Sequence, residues 1–150
     1  MRVLVVEDDP VLSLLAELAL EEAGHELICS AHDAAQAISL VNMHDFDLAL
    51  VDINLDGNDE GIELTRTLFQ SFGLHSLFMS GQIEIAKRHP DYAIGILAKP
   101  YAPEDLVRSA AIAHSLIVSE LPQLTEIPQP LTLFAASSGL HGKKHDSLNA

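Results

Sequence analysis

Arg2-Val3-Leu4-Val5-Val6-Glu7-Asp8-Asp9-Pro10 decides the fold: an unbroken apolar run that stops abruptly on three acids and a proline. A run without polar alternation suits a strand covered on both faces, as in a parallel sheet flanked by helices. Asp9-Pro10 then reads as a helix N-cap followed by proline at the first helical position. In the helix that follows, Leu14, Leu15 and Leu18 give an apolar stripe, and Gly24 is its stop.

The same strand-then-helix unit returns four times. Strands are expected at Leu27–Ala31, Leu48–Val51, Ser76–Met79 and Ala93–Leu97. Helices are expected at Ala34–Met43, Ile62–Phe72, weakly near Gln82–His89, and from Pro103 to about Glu120. Alternation of this kind calls for right-handed crossovers and a doubly wound, five-stranded parallel α/β sheet over residues 1–120. Residues 121–150 carry Pro122, Pro128 and Pro130, then Ser137-Ser138-Gly139 and Gly142-Lys143-Lys144, which disfavour a regular helix. They are expected to form a mobile or loosely docked tail and no separate output domain, although Leu131, Leu133 and Phe134 are apolar enough to pack on this chain or a partner.

The 150 residues carry a net charge of −14, and its location matters more than its size. Residues 1–65 hold fifteen acids against the single base Arg2, whereas acids and bases balance in the remainder. Such a surface excludes binding to nucleic acid or anionic membrane over a broad basic face. One cysteine, Cys29, excludes an intrachain disulfide framework and fits a small buried filler. With no signal-peptide pattern at Met1–Glu7 and no apolar run of membrane-spanning length, the expected compartment is the cytoplasm.

Doubly wound sheets place their sites at the carboxyl ends of the strands. Glu7, Asp8 and Asp9 follow the first strand, Asp52 the third, Ser80 the fourth and Lys99 the fifth. Carboxylates brought together repel and raise one another's pKa unless a cation intervenes. Mg2+, a hard ion that prefers oxygen, relieves that repulsion. Lys99 adds a point positive charge and Ser80 a hydroxyl donor. These are the parts for phosphoryl transfer to a carboxylate.

Val5-Val6-Glu7-Asp8-Asp9-Pro10, Leu50-Val51-Asp52-Ile53-Asn54-Leu55, Met79-Ser80-Gly81 and Lys99-Pro100, in this order and spacing, resemble the receiver domain of bacterial two-component response regulators, of the single-domain chemotaxis type. The resemblance spans roughly residues 1–120 and implies a flavodoxin-like (βα)5 receiver fold. It implies that Asp52 is the phosphoacceptor and that Glu7, Asp8, Asp52 and the backbone carbonyl of Asn54 hold Mg2+. Ser80 matches the hydroxyl switch position and Lys99 the invariant lysine, whose bond to the following proline is usually cis in the family. Gln82 matches a position that influences the lifetime of the acyl phosphate. The implied function is a phosphorelay signalling protein, not an enzyme with a separate substrate. Its phosphoryl donor would be a histidine kinase or histidine phosphotransfer protein, and its output would run through a downstream protein target. One departure stands out: three positions before the lysine, where receivers often carry an aromatic residue, this chain has Ile96.

Three other readings fit parts of the pattern. A receiver-fold module that binds its partner constitutively would need no phosphorylation. A haloacid-dehalogenase-like phosphatase also uses a strand-end Asp with Mg2+, Ser and Lys, but it resembles Asp-x-Asp on the first strand, where this chain has Asp52-x-Asn54 on the third. Asp52-x-Asn54-x-Asp56-Gly57-x5-Glu63 fits a calcium-loop pattern, yet a strand precedes it where an EF-hand needs a helix. The eight histidines show no metal spacing. On the last helix Leu106, Ala110, Ala113 and Ile117 make one stripe and Val107, Ala111, His114 and Val118 a second, enough for a possible homodimer through that helix.

Overall fold

A computed structural model describes residues 1–55, 57, 59–119 and 127–134. Five strands and five helices alternate: β1 (Arg2–Val6), α1 (Pro10–Glu22), β2 (Leu27–Ala31), α2 (Ala34–Met43), β3 (Leu48–Asp52), α3 (Glu60–Phe72), β4 (Ser76–Ser80), α4 (Ile83–Lys87), β5 (Ala93–Ala98) and α5 (Pro103–Ile117). A further strand, β6 (Leu131–Leu133), follows. The sheet order is β2-β1-β3-β4-β5-β6, with β1 to β5 parallel and β6 antiparallel to β5. The doubly wound parallel sheet expected from the sequence is therefore present, and it carries one strand more than the five expected. Of the tail, residues 120–126 and 135–150 lie outside the described residues, as do Asp56 and Asn58 of the acidic loop.

The apolar runs are continuous because both faces of the sheet are covered. Val3, Val5, Leu48, Leu50, Leu77 and Met79 pack with Ala16, Ala19 and Leu20 of α1 and with Leu106, Ala110 and Ala113 of α5. The alternate residues Leu4, Val6, Ala49 and Val51 pack with Ala37 of α2 and with Leu64 and Leu68 of α3. Asp9 caps α1 as its position implies, its side chain accepting from Val11 N at 2.9 Å and Leu12 N at 3.2 Å. Asp33 does the same for α2, accepting from Gln36 N at 2.8 Å. A left-handed Gly73 (φ 65°) ends α3.

The stripe read on α1 faces the other way. Leu14, Leu15 and Leu18 are 53%, 52% and 51% exposed, and Val11 is 63% exposed. The buried face is Ser13, Ala16, Ala19 and Leu20. Small residues let α1 lie close to α5 and the sheet, which leaves the bulky leucines outside. On α5 the first stripe enters the core, with Ile117 half-buried, while Ala111 and Val118 of the second stripe are exposed. Leu48–Asp52 is a buried central strand, so the calcium-loop pattern lacks the helix that an EF-hand requires before it. Among the described residues, no helix is long and apolar enough to cross a membrane.

The orientation of α1 has a measurable consequence. Leu20→Ala should lower the unfolding free energy by about 2–5 kcal/mol, because it empties a fully buried site. Leu18→Ala, on the outer face, should stay within about 0.5 kcal/mol of wild type in the same urea titration.

Candidate functional site

Strand register assembles the site. Val6 pairs with Val51, Asp52 with Met79 and Ser80 with Ala98, so the residues ending β1, β3, β4 and β5 arrive side by side. Glu7, Asp8, Asp52, Asn54, Ser80, Gln82 and Lys99 line one cleft at the carboxyl edge of the sheet, with Asp9 and Leu12 at its rim. Every residue singled out in the sequence for this site is in that cleft.

Glu7 is 1% exposed and Asp52 5% exposed. Two buried carboxylates side by side need a cation, and Lys99 supplies one. Its Nζ donates to Glu7 Oε1 and, at 3.3 Å, to Asp52 Oδ2. Asn54 N donates to Asp52 Oδ1 at 3.1 Å, which fixes the second oxygen. Ser80 Oγ accepts from Gln82 N at 2.9 Å, and Lys99 N donates to Ser80 O at 3.0 Å. The Lys99–Pro100 bond is cis.

One ammonium does not balance the site. Burial, and then the neighbouring Asp52, push the Glu7 carboxyl up from 4.5 to about 7, against the opposing pull of Lys99. Burial also works against the Lys99 ammonium, but Glu7 and Asp52 outweigh it and hold its pKa above the usual lysine value. Carboxylate oxygens of Glu7, Asp8 and Asp52 all lie within 4.8 Å of one another. Three hard oxygen donors so close together, around a deficit of positive charge, fit Mg2+.

Two glycines matter that sequence reading passed over. A Cβ on Gly61 would lie 2.1 Å from the carbonyl oxygen of Asp52, and Gly61 N donates to Ile53 O at 2.9 Å. Gly61 thus lets α3 start directly against the end of β3 and anchors the backbone that carries Asp52. At Gly95 a Cβ would lie 2.3 Å from Thr132 O. Neither requirement shows in the apolar pattern: Gly61 answers to the close approach of α3 to the end of β3, and Gly95 to a strand far along the chain.

The family model for the response regulator receiver domain matches residues 3–111. The chain belongs to this family. It is 28% identical to the transcriptional regulatory protein PdtaR of Mycobacterium tuberculosis over 155 aligned residues, 96% of this chain and 74% of PdtaR. To the phyllosphere-induced regulator PhyR of Methylorubrum extorquens it is 26% identical, covering 79% of this chain but only 45% of PhyR. The crystal structure of the receiver domain of NtrX from Brucella abortus superposes with a TM-score of 0.70 at 28% identity, covering 75% of this chain and 98% of that one. The receiver's role is to take part in phosphorelay signalling, and this is the function of the fold described above. The phosphatase alternative loses its footing on the topology as well, since Asp52 ends the third strand and not the first.

The raised Glu7 pKa sets a pH dependence for the metal-free protein. The folded state holds that proton more tightly than the unfolded chain does. The stability it contributes is complete below about pH 4.5 and is lost as pH rises through about 7. Glu7→Gln has no proton to lose. Its unfolding free energy relative to wild type should therefore rise across this window and level off above it, by a few kcal/mol at most, in denaturant titrations with EDTA.

Proposed function

We propose that Asp52 accepts a phosphoryl group from a phosphohistidine on a partner protein, with Mg2+ held by Glu7, Asp8, Asp52 and the backbone carbonyl of Asn54. The convergence of Asp52 and Lys99 with a second and third carboxylate carries the reading. Bound Mg2+ would supply the positive charge that lets an anionic phosphoryl group approach anionic carboxylates. An Asp52 oxygen forms the new bond to phosphorus as the phosphorus–nitrogen bond of the donor breaks, and the electron pair leaves with the imidazole. Lys99, already bonded to Asp52, neutralises charge on the phosphoryl oxygens. Ser80 accepts from Gln82 through its oxygen, so its hydroxyl hydrogen is left to donate to the phosphoryl group. The chain then acts on its own Asp52 as a signalling domain, with output through protein–protein contact, and the residues of that chemistry all lie within residues 1–120.

The donor's seat is the outer face of α1. A groove lined by Leu12, Leu15, Ala16, Pro100, Tyr101 and Leu106 adjoins the Asp52 cleft, and both are lined by Leu12 and Lys99. Together with exposed Val11, Leu14 and Leu18 it offers an apolar strip beside the acceptor, fit for the helix that carries the donor histidine.

Two measurements separate acceptor from docking surface. With Mg2+ and a small acyl-phosphate donor, intact mass should show one phosphoryl adduct, labile to hydroxylamine and absent in Asp52→Asn. An adduct that persists in Asp52→Asn, or none in the wild type, sinks the reading. Leu15→Glu should leave labelling by the small donor unchanged. It should slow transfer from a prephosphorylated cognate histidine kinase by about tenfold or more, since an anchor at an apolar contact is worth over 1 kcal/mol. Equal loss with both donors would instead place Leu15 in the folding of the site.

A further inference from the structure

The sixth strand is tied through β5 to the framework of the site more closely than its short length suggests. β6 pairs antiparallel with β5, Gly95 opposite Leu133, Ile96 opposite Thr132 and Leu97 opposite Leu131. Its two ends are tied by Pro130 O, which accepts from Ala98 N at 2.9 Å, and by Phe134 N, which donates to Ile94 O at 3.0 Å. Leu131 and Phe134 are 6% and 5% exposed, on opposite faces of the sheet. Leu131 packs into the cluster beneath α5, and Phe134 into a separate cluster with Ile53, Phe78, Ala86 and Ile96. The Phe134 and Phe78 ring centroids are 6.4 Å apart.

Each anchor packs or bonds with a residue next in sequence to the acceptor site. Ala98, which holds Pro130, precedes Lys99 and pairs with Ser80. Ile53, which packs in the cluster with Phe134, follows Asp52, and Ile83, three residues past Ser80, packs against the same cluster. A movement of Ser80 or Lys99 toward a group on Asp52 therefore acts on both ends of β6 at once. The strand is also short and peripheral. It is three residues long, lies at the sheet edge and has one neighbour, whereas β1, β3 and β4 are each paired on both sides.

We propose that β6 with Phe134 is an intrachain strap over the edge of β5, and that phosphorylation of Asp52 loosens it. The proposal rests on Asp52 being the acceptor. Loosening uncovers the backbone edge of Ile94–Ala98. By linkage, weakening the strap also favours the phosphorylated form.

Hydrogen exchange on the full chain tests this, with the intact mass of the same sample recorded. In the unmodified protein, the peptides containing Ala98 and Phe134 should be protected. In the phosphorylated protein they should exchange about tenfold faster or more, with the α1–β3 region unchanged. Phe134→Ala should show the fast exchange in both states, and its acyl phosphate should form at least as readily. A fully phosphorylated sample with unchanged exchange in both peptides overturns the strap and leaves the acceptor assignment standing. Absence of the adduct overturns both, and the mass spectrum tells the two failures apart. Gly95→Val, which blocks the approach of Thr132, provides a second route to the released state should Phe134→Ala fold poorly.

Discussion

Two carboxylates, Glu7 and Asp52, are buried at the edge of a parallel sheet with one ammonium bonded to both. Much of the structure follows from keeping that arrangement tolerable. Burying such charges is costly unless they are paired, and here the pairing is incomplete. The deficit shows in the carboxyl of Glu7, which holds its proton up to about pH 7. A site short of one positive charge, open along one cleft and built from oxygen donors, is preorganised for a cation and for a phosphoryl group. The deficit attracts the cation, and the cation together with Lys99 would then offset the charge of an incoming phosphoryl group.

The framework that imposes this arrangement is plain in the sequence because it is written in continuous apolar runs. Residues 3–6 and 48–51 are fully buried, and a strand covered on both faces has no place for alternation. Where such a run ends, the next side chain is set at the carboxyl edge, so Glu7, Asp52, Ser80 and Lys99 could be placed together from spacing alone. Asp9 was equally legible, since an acid before a proline at the start of an apolar helix has few other uses.

What escaped was decided by partners distant in the chain. In α1 nearly every position from Val11 to Leu20 is apolar, so periodicity cannot choose a face. Close packing chooses it, burying Ala16 and Ala19 and leaving the leucines outside. A strand of three residues after a proline-containing segment is too short to show a period of two, although Leu131 and Phe134 do point to opposite sides as that period requires. Gly95 answers to backbone that sequence spacing does not bring near, and Gly61 to a close approach of α3 and β3 that periodicity does not show. The concentrated acidity of the first 65 residues also resolves into separate local roles. Asp9 and Asp33 cap helices, Asp47 accepts from Arg2 N at 2.7 Å, and Glu63 lies 3.8 Å from Arg66. Only Glu7, Asp8 and Asp52 gather into one cluster among the described residues.

The Ala98–Lys99 pair connects the two surfaces that the proposals invoke. The side chain of Lys99 faces the acceptor and lines the α1 groove, while the backbone N–H of Ala98 holds the strap at Pro130. Consecutive backbone N–H groups point to opposite neighbours, Ala98 N to Pro130 O and Lys99 N to Ser80 O, so a single segment ties the strap to the switch hydroxyl's strand. Rigid packing across β5 makes this coupling possible, because Ile94, Ile96 and Leu97 are buried and cannot absorb a displacement locally. On the proposed reading, a shift at Lys99 passes along β5 to its outer edge, where β6 has β5 as its one strand neighbour.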